Sequence, residues 1–131
     1  MKRNNFTVML VDDNAENLSR MVGEVRDHGY KVISAEDGLQ ALTLYMSKSS
    51  DIVVTGIHMP KMHGLKLLRA MRRLNPNIPV VLITGFAHFK KFFPEIVARA
   101  DGFFEKPLDM GELLNRIDEL LGFPVDSGRT T

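Results

Sequence analysis

Residues 51–64 read DIVVTGIHMPKMHG, and the stretch changes character in its middle. Residues 51–55 form a short, almost wholly apolar run, the pattern of a strand covered on both faces. Gly56 follows, and Pro60 and Gly64 bracket a loop before the next periodic segment. Strands buried on both faces belong to parallel sheets, whose crossovers lay helices on each side. The stretch therefore predicts further strand–helix units before and after it.

Upstream, residues 7–11 (TVMLV) read as a buried strand that stops at Asp12-Asp13-Asn14, an offer of a helix N-cap. Leu18, Met21, Val22 and Val25 follow at helical spacing, and Gly29 ends that helix. Residues 30–35 (YKVISA) alternate as a second strand. A second helix starts at Asp37 or Gly38, with Leu39, Leu42 and Tyr45 facing inward, and closes over residues 47–50.

Downstream, Leu65, Leu68, Met71 and Leu74 line one side of a third helix, which Asn75-Pro76 breaks. Residues 79–83 (PVVLI) are a fourth strand. Residues 86–100 read as a fourth helix, in which Pro94 either opens a turn or kinks it. Residues 102–105 (GFFE) are a fifth strand. Asp109 then caps a last helix carrying Leu113, Leu114, Ile117, Leu120 and Leu121. Five such units predict an α/β fold: a doubly wound, five-stranded parallel sheet, (βα)5.

The 131 residues suit one domain, expected over residues 1–122, with 123–131 as a C-terminal tail or linker stub. Apolar residues at 44% and charged residues at 25% are a globular balance. There is no cysteine, which excludes disulfides, thiolate metal sites and a cysteine nucleophile. The N-terminal apolar run ends at two aspartates, unlike a secretory signal. No stretch nears the ~20 apolar residues of a membrane helix. The expectation is a soluble, cytoplasmic protein. Net charge is +1, and Lys and Arg are spread thinly, so neither a membrane nor nucleic acid is expected as a partner of this domain.

Function in an open α/β sheet gathers at the carboxyl ends of the strands. There the sequence sets Asp12-Asp13, Thr55-Gly56, Thr84-Gly85 and Lys106-Pro107. Two carboxylates, a hydroxyl and an ammonium converge from separate strands, and each is costly to bury alone.

Four motifs, each at a strand end and in this order, carry a resemblance: VDDN (11–14), DIVVTGIHMPKMHG (51–64), ITG (83–85) and FFEKP (103–107). The chain resembles the receiver domain of two-component response regulators, a CheY-like, flavodoxin-like fold. The resemblance implies that Asp12 and Asp13 bind a divalent cation, usually Mg²⁺, with the backbone carbonyl of His58. It implies that Thr84 and Lys106 meet the phosphoryl group and that Phe103 is the aromatic switch of the fifth strand. Pro107 matches the proline that follows the lysine, often through a cis bond.

At two positions the chain departs from the family pattern. Where the family carries its phosphoacceptor aspartate stands Gly56, which has no nucleophile and no third carboxylate. His63 stands where MPxMDG has its aspartate. Removing one of three crowded carboxylates relieves repulsion of about 3 kcal/mol per pair at ~5 Å, but it also weakens Mg²⁺ binding. Lys106 is then expected to contact Asp12 or Asp13. Gly56 should leave a polar void fit for water or a small anion, and the loop between Gly56 and Gly64 should be looser.

The main reading is an atypical receiver, or pseudo-receiver, in phosphorelay signal transduction. It is a protein-interaction module and not an enzyme. Its partners are a histidine kinase or an effector, and possible self-association as a homodimer, through the face of the fourth helix, fifth strand and last helix. Phe89, Phe92 and Phe93 beside Lys90 and Lys91 mark that face. The alternative is an ordinary phosphoaccepting receiver whose acceptor was replaced by Gly56. His58 and His63 admit three readings: exposed loop residues, which is the preferred one, nucleophiles able to take a phosphoryl group, or a transition-metal site with Asp12 and Asp13. A nucleotide or flavin binder of the same shape would need a glycine-rich phosphate loop after the first strand, where Asp-Asp-Asn repels phosphate.

Overall fold

Five parallel strands carry the sheet, in the order β2-β1-β3-β4-β5, in a computed structural model that describes residues 2–125. They are β1 (Thr7–Val11), β2 (Lys31–Ala35), β3 (Ile52–Gly56), β4 (Val80–Thr84) and β5 (Gly102–Glu105). Val8 pairs with Ile52, Val53 with Val80 and Leu82 with Phe103, so the strand ends stay level across the sheet. The helices are α1 (Ala15–Asp27), α2 (Gly38–Ser47), α3 (Gly64–Leu74), α4 (Phe89–Phe92), α5 (Pro94–Val97) and α6 (Met110–Leu120), after a short 3₁₀ turn at Arg3–Asn5. The doubly wound flavodoxin-like architecture expected from the sequence is present.

Strand alternation splits the core in two. Val8, Leu10, Ile52, Val54, Val81 and Ile83 face α1 and α6. Met9, Val11, Val53, Val80 and Leu82 face α2, α3 and α4. Each large apolar side chain so buried contributes roughly 1.5–3 kcal/mol.

Four expectations are corrected. The fourth helix is two four-residue turns, because Pro94 has no N–H to continue α4 and Phe93 leaves helical geometry at φ −131°, ψ 55°. Leu39 is 50% exposed: α2 turns Gly38, Ala41 and Tyr45 inward, and Leu39 falls off that face. Leu74, 52% exposed, likewise lies off the Gly64, Leu67, Leu68 and Met71 face of α3. Phe123, placed by sequence at the start of a tail, is in the core, edge-on to Phe6 and Tyr30. The remainder of that tail from residue 126 lies outside the described residues.

At the amino ends of the strands, Asp118 of α6 is buried among donors. Arg3 meets it in bidentate fashion at 2.9 and 3.0 Å, Tyr30 Oη donates to it at 2.5 Å, and His28 Nε2 lies 2.8 Å away. Burial opposes the Asp118 charge, but the hydrogen bonds from Arg3, Tyr30 and His28 outweigh it and hold the carboxyl below its ordinary value. Burial first, and then donation to Asp118, pushes the Tyr30 hydroxyl well up. Nothing in the hydrophobic periodicity signals this cluster, whose members are up to 115 residues apart.

Candidate functional site

The polar residues predicted from sequence do meet at the carboxyl ends of the strands. Asp12 follows β1 and is 2% exposed. Its Oδ1 accepts from Asn14 N at 2.8 Å, and its Oδ2 lies 3.2 Å from Lys106 Nζ. The Lys106–Asp contact expected from the sequence is thus Lys106–Asp12. Asp13, the next residue, is exposed. The helix cap is Asn14, whose side chain accepts from Asn17 N.

Thr84 ends β4 and is buried, with Oγ1 accepting from Phe86 N at 3.0 Å. Lys106 follows β5 and donates its N–H to Thr84 O at 2.8 Å. The Lys106–Pro107 peptide is cis. Phe103 of β5 is half-buried, its ring stacked on Phe89 at 6.0 Å between centroids.

Gly56 ends β3 between these groups. A Cβ built on it would lie 3.7 Å from Met59 Cγ, 3.8 Å from Met59 Sδ and 3.9 Å from Val11 O, all ordinary contacts. The polar void expected here is therefore bounded by the Met59 thioether. Neighbouring Thr55 is buried and donates its hydroxyl to Gly56 O at 2.9 Å, so its hydrogen is already engaged.

The loop that follows is tied at both ends by backbone hydrogen bonds. Gly64 N donates to Ile57 O at 2.8 Å, and Gly38 N to Met62 O at 3.1 Å. Gly64 must be glycine for a steric reason: a Cβ there would stand 2.2 Å from Gly56 O. His63 takes the N-cap of α3, its Nδ1 accepting from Leu65 N at 3.3 Å. His58 is exposed and edge-on to Phe86 and Phe89. Among the described residues no three His, Asp or Glu side chains gather as metal ligands. The transition-metal reading of His58 and His63 with Asp12 and Asp13 is not supported by this arrangement: His63 Nδ1 is taken up by Leu65 N, and the His58 ring packs against Phe86 and Phe89.

A cavity of about 400 Å³ adjoins the site, with Asp12 and Lys106 on one wall and Asn17 and Arg20 of α1 on another. Sequence reading missed Asn17 and Arg20. Their signal was their spacing: each lies three residues beyond the previous member of the series Asn14, Asn17, Arg20, one edge of α1. Chemically, the site offers carboxylate oxygens to a hard cation and an ammonium and a hydroxyl to an oxyanion. The strand end at β3 offers no side chain at all.

The response regulator receiver domain family model matches residues 8–118. The transcriptional regulatory protein ZraR of Klebsiella oxytoca is 31% identical over 114 residues, which are 87% of this chain and 26% of ZraR. A CheY-like receiver domain protein of Methanospirillum hungatei JF-1 superposes with a TM-score of 0.81 at 26% identity, covering 89% of this chain and 94% of that one. The response regulator TrrA of Thermotoga maritima, solved in complex with Mg²⁺ and BeF, gives a TM-score of 0.79 at 25% identity, covering 88% and 98%. This chain thus spans about a quarter of the length of ZraR.

Proposed function

Because this chain belongs to the response regulator receiver family, we propose that it serves two-component signalling as an atypical receiver: a protein-interaction module that is not phosphorylated at the usual site and is not an enzyme. The observation that carries this reading is Gly56. At the end of β3, facing Asp12 and Lys106 across the strand ends, it provides no oxygen to attack a phosphoryl donor. The groups that would receive a phosphoryl are otherwise present in Thr84 and Lys106, and Lys106 is instead paired with Asp12.

Receiver domains typically bind Mg²⁺. Here Asp12, Asp13 and the His58 carbonyl are the oxygen donors that would hold it. They fit a hard cation weakly, since one carboxylate oxygen is shared with Lys106 and Gly56 adds none. When bound, the cation supplies charge neutralisation for an incoming anion. The partner, a histidine kinase or an effector, meets the face of α4, β5 and α6, where Phe92 is 62% exposed beside Lys90 and Lys91. Phe89 is no part of that surface, being 3% exposed. The same face supports a homodimer, and the setting is cytoplasmic.

The second reading, an ordinary receiver with its acceptor replaced, is favoured by one observation. A side chain at position 56 meets no contact shorter than 3.7 Å at its Cβ. The test is intact mass after incubation of the chain and of Gly56→Asp with Mg²⁺ and acetyl phosphate. Mass gain by Gly56→Asp alone supports a silenced but competent pocket. Gain by the unaltered chain overturns the proposal.

A further inference from the structure

The geometry points to a second ligand site, a groove for a small aromatic carboxylate between the start of α3 and the α4–α5 segment. It does not rest on the reading of Gly56. Its origin is the break at Phe93-Pro94, which shortens α4 to a single turn and leaves the space beside α3 uncovered. The groove has a volume of about 460 Å³, within the range of small-molecule sites.

Its walls are nearly all carbon. Ile57 and Leu65 face Ile96 across it, and the Phe86, Phe89 and Phe93 rings complete it. Phe89 is the buried member, while Phe86 and Phe93 stand half-exposed at the rim. Phe86, Phe89 and His58 already meet edge to face, at centroid distances of 5.7 to 6.3 Å, and Phe93 lies tilted against Phe89 at 4.8 Å. A flat aromatic body continues that packing, with its electron-poor edge toward ring faces.

The polar part of the lining selects a carboxylate. His58 and His63 are the two polar lining residues, and none of the lining residues is acidic. His63 Nδ1 accepts from Leu65 N, so the neutral ring carries its proton on Nε2, a donor with no competing acceptor role. Lys90 and Lys91 are exposed on the adjoining turn and outnumber Glu95, the exposed acid of α5 beside Ile96, leaving a net positive potential. A cation would be repelled, and a neutral hydrocarbon would leave the imidazole donor unmatched.

An occupant bears directly on Phe89, whose ring also stacks on Phe103 of β5. The groove thus reaches, through one buried ring, the face on which partners are proposed to dock. Binding there is an input that needs no side chain at position 56.

The test is a titration of the full chain with 2-naphthoate, followed by amide chemical shifts in ¹H–¹⁵N NMR. Saturable shifts gathered at His63, Leu65, Phe86, Phe93 and Ile96 are expected. Ile96→Trp, which fills the groove, and Phe86→Ala, at the exposed rim, should each weaken binding while keeping native amide dispersion. If Ile96→Trp does not fold, Phe86→Ala alone decides. The neutral analogue 2-naphthalenemethanol should bind about tenfold more weakly, the worth of one charge-assisted hydrogen bond. No saturable shifts, shifts gathered instead around Asp12 and Lys106, unchanged affinity in Phe86→Ala, or equal affinity for the alcohol would each overturn the proposal.

Discussion

Lys106 Nζ stands 3.2 Å from Asp12 Oδ2, joining the ends of β5 and β1 although β3 and β4 lie between those strands in the sheet. The Asp12 side chain is 2% exposed and that of Lys106 is 32% exposed. Removing the ammonium strands a buried carboxylate, a costly change that the lysine's partial solvation tempers. Lys106→Met should therefore lower stability by about 1–2 kcal/mol. Adding Asp12→Asn in that background should restore most of the loss. Urea unfolding midpoints of the two variants check this; a double variant no more stable than Lys106→Met would show that the pair contributes little.

Asp118 and Tyr30 set opposite limits on stability with pH. Asp118 is held below its ordinary 3.8, so the stability it brings is present above that value and is lost as pH falls from about 4 toward the lower folded value. Tyr30 is raised above its ordinary 10.0, so its contribution is present below 10 and is lost as pH climbs toward the higher folded value. Thermal unfolding between pH 2.5 and 11 should show both limbs. Asp118→Asn should flatten the acid limb and Tyr30→Phe the alkaline one. An acid limb unchanged in Asp118→Asn would assign it to other carboxylates.

Three phenylalanines within five residues have different fates. Phe89→Ala opens a cavity beneath Phe93 and Phe103, at an expected cost of about 3–5 kcal/mol. Phe92→Ala, at an exposed position, should stay within roughly 0.5 kcal/mol of the unaltered chain. Its effect should instead appear as weaker self-association or partner capture in sedimentation or pull-down measurements. Comparable losses of stability from both would contradict the assignment of Phe92 to the surface.

His63 caps α3 through a nitrogen 3.3 Å from Leu65 N, a long hydrogen bond. A carboxylate caps better and also suits the positive end of the helix. His63→Asp should raise stability by about 0.5–1 kcal/mol and His63→Ala lower it by a similar amount. Calorimetric midpoints distinguish the two directions, and a destabilised His63→Asp would mean that the imidazole has packing value in the loop.

The sheet was legible in the sequence because buried parallel strands read as apolar runs: 52–56 and 80–84 are fully buried, and each was located to within one residue. Convergence of Asp12, Thr84 and Lys106 was legible because strand ends in such sheets share one edge. Helix faces were less so. In α2, Leu39 and Tyr45 both fit a helical repeat, and only the docking of Gly38 against Met62 O decides which face turns inward. Pro94 announced a break without saying whether the helix would bend or stop. The Met59 thioether beside Gly56, and the four-residue cluster on Asp118, depend on tertiary neighbours that no local pattern encodes.

Gly64 crowds the backbone of Gly56, yet space beside Gly56 itself is open. Every glycine codon is one base from an aspartate or a glutamate codon, so the two positions have unlike prospects under mutation. A larger residue at 64 collides with the Gly56 backbone whatever the protein is used for, since the loop cannot close around it. Drift at 56 meets no such barrier, and a lineage carrying this sequence remains one nucleotide from a carboxylate in that place. At the level of the Cβ, the architecture requires glycine at 64 and does not require it at 56.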